Sequence, residues 1–251
     1  MRAGVPAAAW LALALLSACA TDAGPHSANA AAAANIQLGS AYLQQGNLPI
    51  AKEKLERALA EAPRNPTVHG LLAMLYVRLG DDRRAEAEYR TALSLAPGDP
   101  EQLNNYAVYL CSAGRVDEGV SRFQEAARNA LYRTPWAAYS NAGVCLRSAR
   151  RNAEAETLFA RALHIRADYA EAAVQLADLE LSEDRANEAY STVADFLKSN
   201  PPTAELLLLG WRAARAQHNA VNAAQMAWRL QNEFPDSDQA HAVTASAGGK
   251  G

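Results

Sequence analysis

Residues 72–97 read LAMLYVRLGDDRRAEAEYRTALSLAP, and the same spacing of small, aromatic, Gly and Pro positions recurs on either side. Leu72-Ala73-x-x-Tyr76 aligns with Leu38-Gly39-x-x-Tyr42 at an offset of 34 residues. That offset also links Gly46 to Gly80 and Gly114, Ala51 to Ala85, Ala58 to Ala92 and Ala126, and Pro63 to Pro97. A period of this length is the signature of a repeat architecture. Each unit has the same physical logic: apolar residues at helical spacing, a turn with Gly, a second helix running back, and a Pro that ends it. Small residues at Gly39, Ala73, Ala107, Gly143 and Ala177 fall where two helices would cross, and Tyr76, Tyr89, Phe123 and Phe159 read as core packing.

The pattern resembles the tetratricopeptide repeat, which implies an all-α, right-handed superhelix of about six helix-turn-helix units. The units fall at about 32–65, 66–99, 100–135, 136–169, 170–203 and 204–237. The third is two residues longer, with Asn129-Ala-Leu-Tyr-Arg-Thr-Pro135 in place of the usual Pro turn. The sixth is degenerate, with Trp211 where a small residue is expected, as in a capping repeat. Residues 238–251 are small and polar and end Gly-Gly-Lys-Gly, which predicts a disordered tail.

Composition narrows the function. Lys and Arg total 24 against 27 Asp and Glu, so no basic excess exists to neutralise a phosphate backbone, and nucleic acid is not expected as a partner. His26, His69, His164, His218 and His241 are scattered, with no i, i+4 pair and no neighbouring Cys, so no metal or other cofactor is expected. Glu86, Glu88, Asp117 and Glu118 lie between Arg residues, where solvated ion pairing is the simpler account. No nucleophile motif occurs, and the reading is a binding protein rather than an enzyme.

Met1 and Arg2 precede a nearly uninterrupted apolar run from Val5 to Leu16, too short to span a bilayer as a helix. Residues 1–18 therefore read as a signal peptide. Leu16-Ser17-Ala18-Cys19 resembles the lipobox of bacterial lipoproteins, which implies acylation of Cys19 and a membrane anchor. Ala20, rather than Asp, follows the Cys, which by that resemblance implies the periplasmic face of the outer membrane. Residues 19–31, with Gly and Pro and little to bury, read as a flexible tether to a repeat domain spanning 32–237.

Cys111 and Cys145 remain once Cys19 carries lipid. An exported chain meets an oxidising compartment, and the two lie on first helices of successive repeats, so a disulfide is expected; the alternative is two buried thiols behaving as small apolar residues.

Leu103-Asn-Asn-Tyr-Ala-Val-Tyr-Leu-Cys111-x-x-Gly114, then Tyr132-Arg-Thr-Pro135 and Asn141-Ala-Gly-Val-Cys145, resemble the type IV pilus biogenesis/stability lipoproteins known as PilF or PilW. The resemblance implies a pilotin-like role: binding the outer-membrane secretin and aiding its localisation and assembly. A general cell-envelope scaffold for other assembly or peptidoglycan-related partners is the alternative, because fold alone does not decide a partner.

In this repeat the concave face is lined by set positions of each first helix. They are Ile36, Ser40 and Leu43, then Met74, Val77 and Arg78, then Asn104 and Val108. Apolar side chains on an open face suit a partner segment. Ile36, Leu43 and Val77 have an alternative, packing between neighbouring repeats. Met74 beside Arg78 favours a binding surface, since a flexible thioether and a guanidinium are poor choices for a helix seam.

Overall fold

The structure is a computed structural model that describes residues 25–248. Within them the chain forms thirteen α-helices. Six helical hairpins follow one another: α1 (Pro25–Gln44) with α2 (Leu48–Glu61), α3 (Pro66–Arg78) with α4 (Asp82–Leu95), α5 (Pro100–Ser112) with α6 (Val116–Arg128), α7 (Pro135–Ser148) with α8 (Asn152–Ile165), α9 (Ala170–Ser182) with α10 (Ala186–Leu197), and α11 (Ala204–Ala216) with α12 (Ala220–Glu233). A last helix, α13 (Asp238–Gly248), follows them. The hairpins stack as a tetratricopeptide superhelix. First helices pack closely on the first helix of the next hairpin, whereas the backbones of successive second helices stay farther apart, so the stack curves toward the first helices and they line its inner face.

Local chemistry explains where the helices begin. Pro66, Pro100 and Pro135 sit in the first turn, where no amide hydrogen bond is lost. Asn47, Asn65, Asp81, Asp99, Thr203 and Asn219 accept from backbone amides of the turn that follows them. At the start of α6, α8 and α10 the cap is instead Arg115, Arg151 or Arg185, which has no acceptor to offer. Each guanidinium reaches back to the preceding second helix or the turn before it: Arg115 to Glu86, Arg151 to Asp117, Arg185 to Glu156. Arg115 and Arg151 also hold Glu118 and Glu154 of their own helices, and these carboxyls lie below the usual range because of that bond. Pairs this exposed add little stability singly, but they tie one unit to the next.

Within a hairpin the helices meet at the small-residue position. A Cβ on Gly143 would come within 2.6 Å of the Phe159 ring, so only glycine permits that crossing. The hairpin turn needs one residue in the left-handed region, which is Gly80 or Gly114 in early repeats but Arg150, Asp184 and His218 in the last three. Those side chains cost up to roughly 1–2 kcal/mol each in that conformation, less for Asp.

Three sequence expectations are corrected. Residues 238–248 are helical rather than disordered: α13 buries Ala240 and Val243 against Leu207, Met226 and Leu230, closing the open end of the stack. The first helix starts at Pro25, so the tether does not extend to 31; the run of Ala ahead of Asn35 is the best helix-forming composition available. In the sixth hairpin the close crossing occurs at Gly210, packed on Val193 and Met226, while half-buried Trp211 turns aside under Arg215. Residues 1–24, including the signal peptide and Cys19, lie outside the described residues. The insertion of repeat three is held by Asn129, whose amide donates to the Gly98 carbonyl at 2.9 Å and accepts from the Leu131 amide at 2.9 Å.

Glu180 occupies a core position filled by Tyr76, Leu110 and Leu146 in other repeats, and only 5% of it is exposed. Burial pushes its carboxyl above the ordinary range, against the opposing effects of a hydrogen bond from Thr192 and the charge of Arg185. The folded chain therefore holds this proton more tightly than the unfolded chain. The stability it confers is full below the ordinary carboxylate range and is lost as pH rises through the raised folded value. Glu180→Gln keeps an acceptor for Thr192 and removes the buried charge. Its melting temperature should exceed the parent's by about 2–4 °C at pH 7 and match it at about pH 4; the reverse ordering would refute this account.

Candidate partner-binding groove

One row of side chains runs along the inner face at equivalent places of the six first helices: Ser40, Met74, Val108, Val144, Asp178 and Arg212. It is apolar in the middle three repeats and charged in the last two. Arg147 donates to Asp178 at 2.6 Å, and Arg212 lies 3.6 Å from the same carboxylate, so the late repeats close on themselves. Over repeats three and four the row is open, while Met74 of repeat two is half-buried against the core cluster. Val108 is 50% exposed and Val144 is also exposed, with α5 and α7 holding them away from the second-helix layer.

Two cavities flank Val108. The first, about 340 Å³, lies between α3 and α5, with Met74, Val77 and Arg78 on one side and Asn105, Val108 and Ser112 on the other. Its floor is Tyr89, packed against Tyr106 and Tyr109 with ring centroids 5.4 and 5.5 Å away. Tyr89 is a neutral phenol, since burial pushes its ionisation far above the usual range. The second cavity, about 590 Å³, lies between α5 and α7, bounded by Val108, Asn141, Val144 and Ser148 over Phe123. The sulfurs of Cys111 and Cys145 form part of this wall, 2.00 Å apart with their Cα atoms 5.7 Å apart, a separation suited to a disulfide. Gly119 makes room for them, because a Cβ there would sit 2.4 Å from the Cys111 sulfur.

The remaining polar groups serve structure. Glu86 and Glu118 share Arg115, and Asp117 pairs with Arg151. His69 is buried between the Glu88 carboxylate and the Pro63 carbonyl. No group of three His, Cys, Asp or Glu among the described residues could hold a metal ion.

A tetratricopeptide-repeat family profile matches residues 36–100 and 107–171. The type IV pilus assembly protein PilF of Pseudomonas aeruginosa is 30% identical over 204 residues, covering 81% of each chain. A solved structure of the Pseudomonas aeruginosa PilF superposes with a TM-score of 0.67 at 29% identity, covering 87% of this chain and 99% of the other. PilW, described as a widely conserved type IV pilus biogenesis factor, gives a TM-score of 0.67 at 28% identity over 85% and 98% of the two chains. The chain belongs to the PilF/PilW family of tetratricopeptide-repeat pilus biogenesis proteins.

In this PilF/PilW-family chain the structure divides the residues expected on the groove. Met74, Val77, Arg78 and Val108 line the first cavity together, with Met74 and Val77 half-buried and packed on the core cluster behind it. Leu43 does not belong to an open face: it is 2% exposed and sits in the core cluster of repeats one to three, because α1 and α3 close over it. Ile36 is half-buried and packs on that same cluster, as a seam residue does. Ser40 is half-buried in repeat one, outside both cavities. Asn104 turns to Asn141, accepting from its amide at 3.3 Å, and Asn105 takes the place in the cavity wall. Asn105, Asn141 and Val144 were missed. Val144 is legible once the two-residue insertion is counted, since it is Val108 displaced by 36 rather than 34 positions. The asparagines recur at the same displacement, but only the packing shows which of Asn104 and Asn105 faces the groove.

Gly119→Ala places a methyl group against the Cys111 sulfur at 2.4 Å and the Ala107 carbonyl at 3.0 Å. Thermal or denaturant melts should show a loss of about 1–3 kcal/mol with helical content kept, and an unchanged melt would mean that α5 and α6 separate freely.

Proposed function

We propose that this protein is an outer-membrane lipoprotein that binds the type IV pilus secretin and aids its localisation and assembly, in the manner of a pilotin, without catalysing a reaction. The observation that carries the reading is the apolar row of half-buried Met74 and exposed Val108 and Val144, with a cavity on each side of Val108, in a chain of the PilF/PilW family. Val108 and Val144 are left exposed by the chain's own packing, and a groove with a guanidinium at its rim suits a segment of another protein. Acylation at Cys19 would hold the groove at the periplasmic face of the membrane where the secretin assembles. A disulfide between Cys111 and Cys145 would fix α5 against α7 beneath the groove, closing a loop of 34 residues and contributing about 3–4 kcal/mol at most.

Met74→Glu with Arg78→Glu should keep helical content, lower the melt only by the packing of half-buried Met74 and the bond from Arg78 to the Leu43 carbonyl, and weaken secretin binding by an order of magnitude or more. The readouts are heat-resistant secretin multimers and twitching motility. A folded double variant that supports both normally would move the binding surface elsewhere. If secretin is untouched but another envelope complex is lost, the scaffold reading replaces this one.

Intact mass of the exported protein tests both cysteine assignments. The amino-terminal Cys19 should carry lipid, absent in Cys19→Ser, and the Cys111–Cys145 peptide should gain the mass of two hydrogens on reduction. An unmodified Cys19, or free thiols in the native protein, would each remove the corresponding assignment.

A further inference from the structure

We propose that the two cavities are successive subsites for one extended peptide segment, which presents two apolar side chains three residues apart and a carboxylate at the repeat-two end. The inference rests on the groove reading above and narrows its ligand.

The cavities are copies of one another. Met74, Tyr89, Asn105 and Ser112 of the first correspond to Val108, Phe123, Asn141 and Ser148 of the second, displaced by one repeat, and Val108 and Ser112 belong to both. Each offers an aromatic floor, apolar walls and one carboxamide. A surface that repeats in this way fits a ligand that repeats at the same distance. Packed helices lie about 8–10 Å apart, which sets the spacing of the subsites. A polyproline II segment rises about 3.1 Å per residue with three residues per turn, so side chains i and i+3 lie on one side about 9 Å apart. A β-strand brings same-face side chains to about 6.6 Å, too close for two subsites. An α-helix matches in length only at i and i+7, about 10.5 Å, and its backbone groups are already bonded to one another. The carboxamides decide between them. Asn105 makes no side-chain hydrogen bond among the described residues, and Asn141 uses only its amide, toward Asn104. An extended backbone, which has no internal hydrogen bonds, supplies the partners that such groups need.

Charge sets the direction. Arg78 is the only charged side chain lining either cavity. It donates to the Leu43 carbonyl and pairs with no carboxylate among the described residues, which leaves donors for an anion. At the far end Arg147 is already engaged by Asp178 at 2.6 Å. The carboxylate of the ligand, an acidic side chain or a chain terminus, therefore belongs beside Arg78.

Fluorescence anisotropy with the full chain and labelled hexapeptides tests this. One pair of peptides carries two leucines separated by two prolines, with an aspartate before or after them; a second pair has the same composition with the leucines adjacent; a labelled fatty acid is the non-peptide probe. One order of the spaced peptide should bind about ten-fold or more tighter than its adjacent-leucine counterpart, the scale of one buried side chain. Val108→Glu, at the exposed shared wall, should abolish that advantage. Arg78→Gln should remove the difference between the two aspartate orders of the spaced peptide. Equal binding by both spacings, binding of the fatty acid alone, or no peptide binding at millimolar concentration would each overturn the proposal. If Met74→Glu with Arg78→Glu still loses secretin assembly in those cases, the groove stands and only this ligand falls; normal assembly in that variant removes the groove itself.

Discussion

A hairpin of two helices of about thirteen residues cannot bury its apolar side chains against itself alone, and everything else in this molecule follows from that deficit. Ala73, Ala107 and Ala177 are fully buried, and Gly143 admits the Phe159 ring, because two helices must cross closely before either can present a flat side to the next hairpin. Stacking then makes the core continuous. The consequence is one-dimensional: each unit leans on its neighbours, and both ends of the stack expose apolar surface that another element has to cover. At the carboxyl end that element is α13, whose Ala240 and Val243 complete the packing of α11 and α12.

The same geometry creates the groove. First helices contact one another along the inner side, so a side chain at the crest of α5 or α7 can reach neither the second-helix layer nor an adjacent crest. Val108 and Val144 stay open for that reason and Met74 stays partly so, at a cavity wall, whereas Leu43, three places further round α1 than Ser40, is closed over. The function of the repeat as a binding surface is thus a by-product of its curvature, and its selectivity resides in which residues occupy the crest. The switch from valine to Asp178 and Arg212 ends the apolar stretch by satisfying charges within the chain.

Repeats three and four depart from regularity at their junction. An insertion pinned by Asn129 precedes α7 and displays Leu131, which is 85% exposed, while Cys111 and Cys145 lie against each other across the α5–α7 seam. The larger of the two groove cavities lies over this junction. A covalent tie between first helices there would resist opening of the stack at the place where a ligand would press on it. Repeats four to six also accept Arg150, Asp184 and His218 in the left-handed turn, a strain that the repeat tolerates because the packed hairpin on either side over-determines the turn.

The period of 34, the turn glycines and the small-residue positions determined the fold from sequence, because each records a contact within one hairpin, and such contacts are set by residues close in the chain. The order of the repeats and the crest positions followed from the same register. Burial at the edges did not. Leu43 and Val77 sit at equivalent positions, yet one is core and the other lines a cavity, since the difference depends on how tightly two adjacent first helices close. The choice between Asn104 and Asn105, the yielding of Trp211 to Gly210, and the folding of residues 238–248 have the same cause. Each is decided by what a neighbouring element leaves uncovered, and that quantity exists only once the helices are stacked.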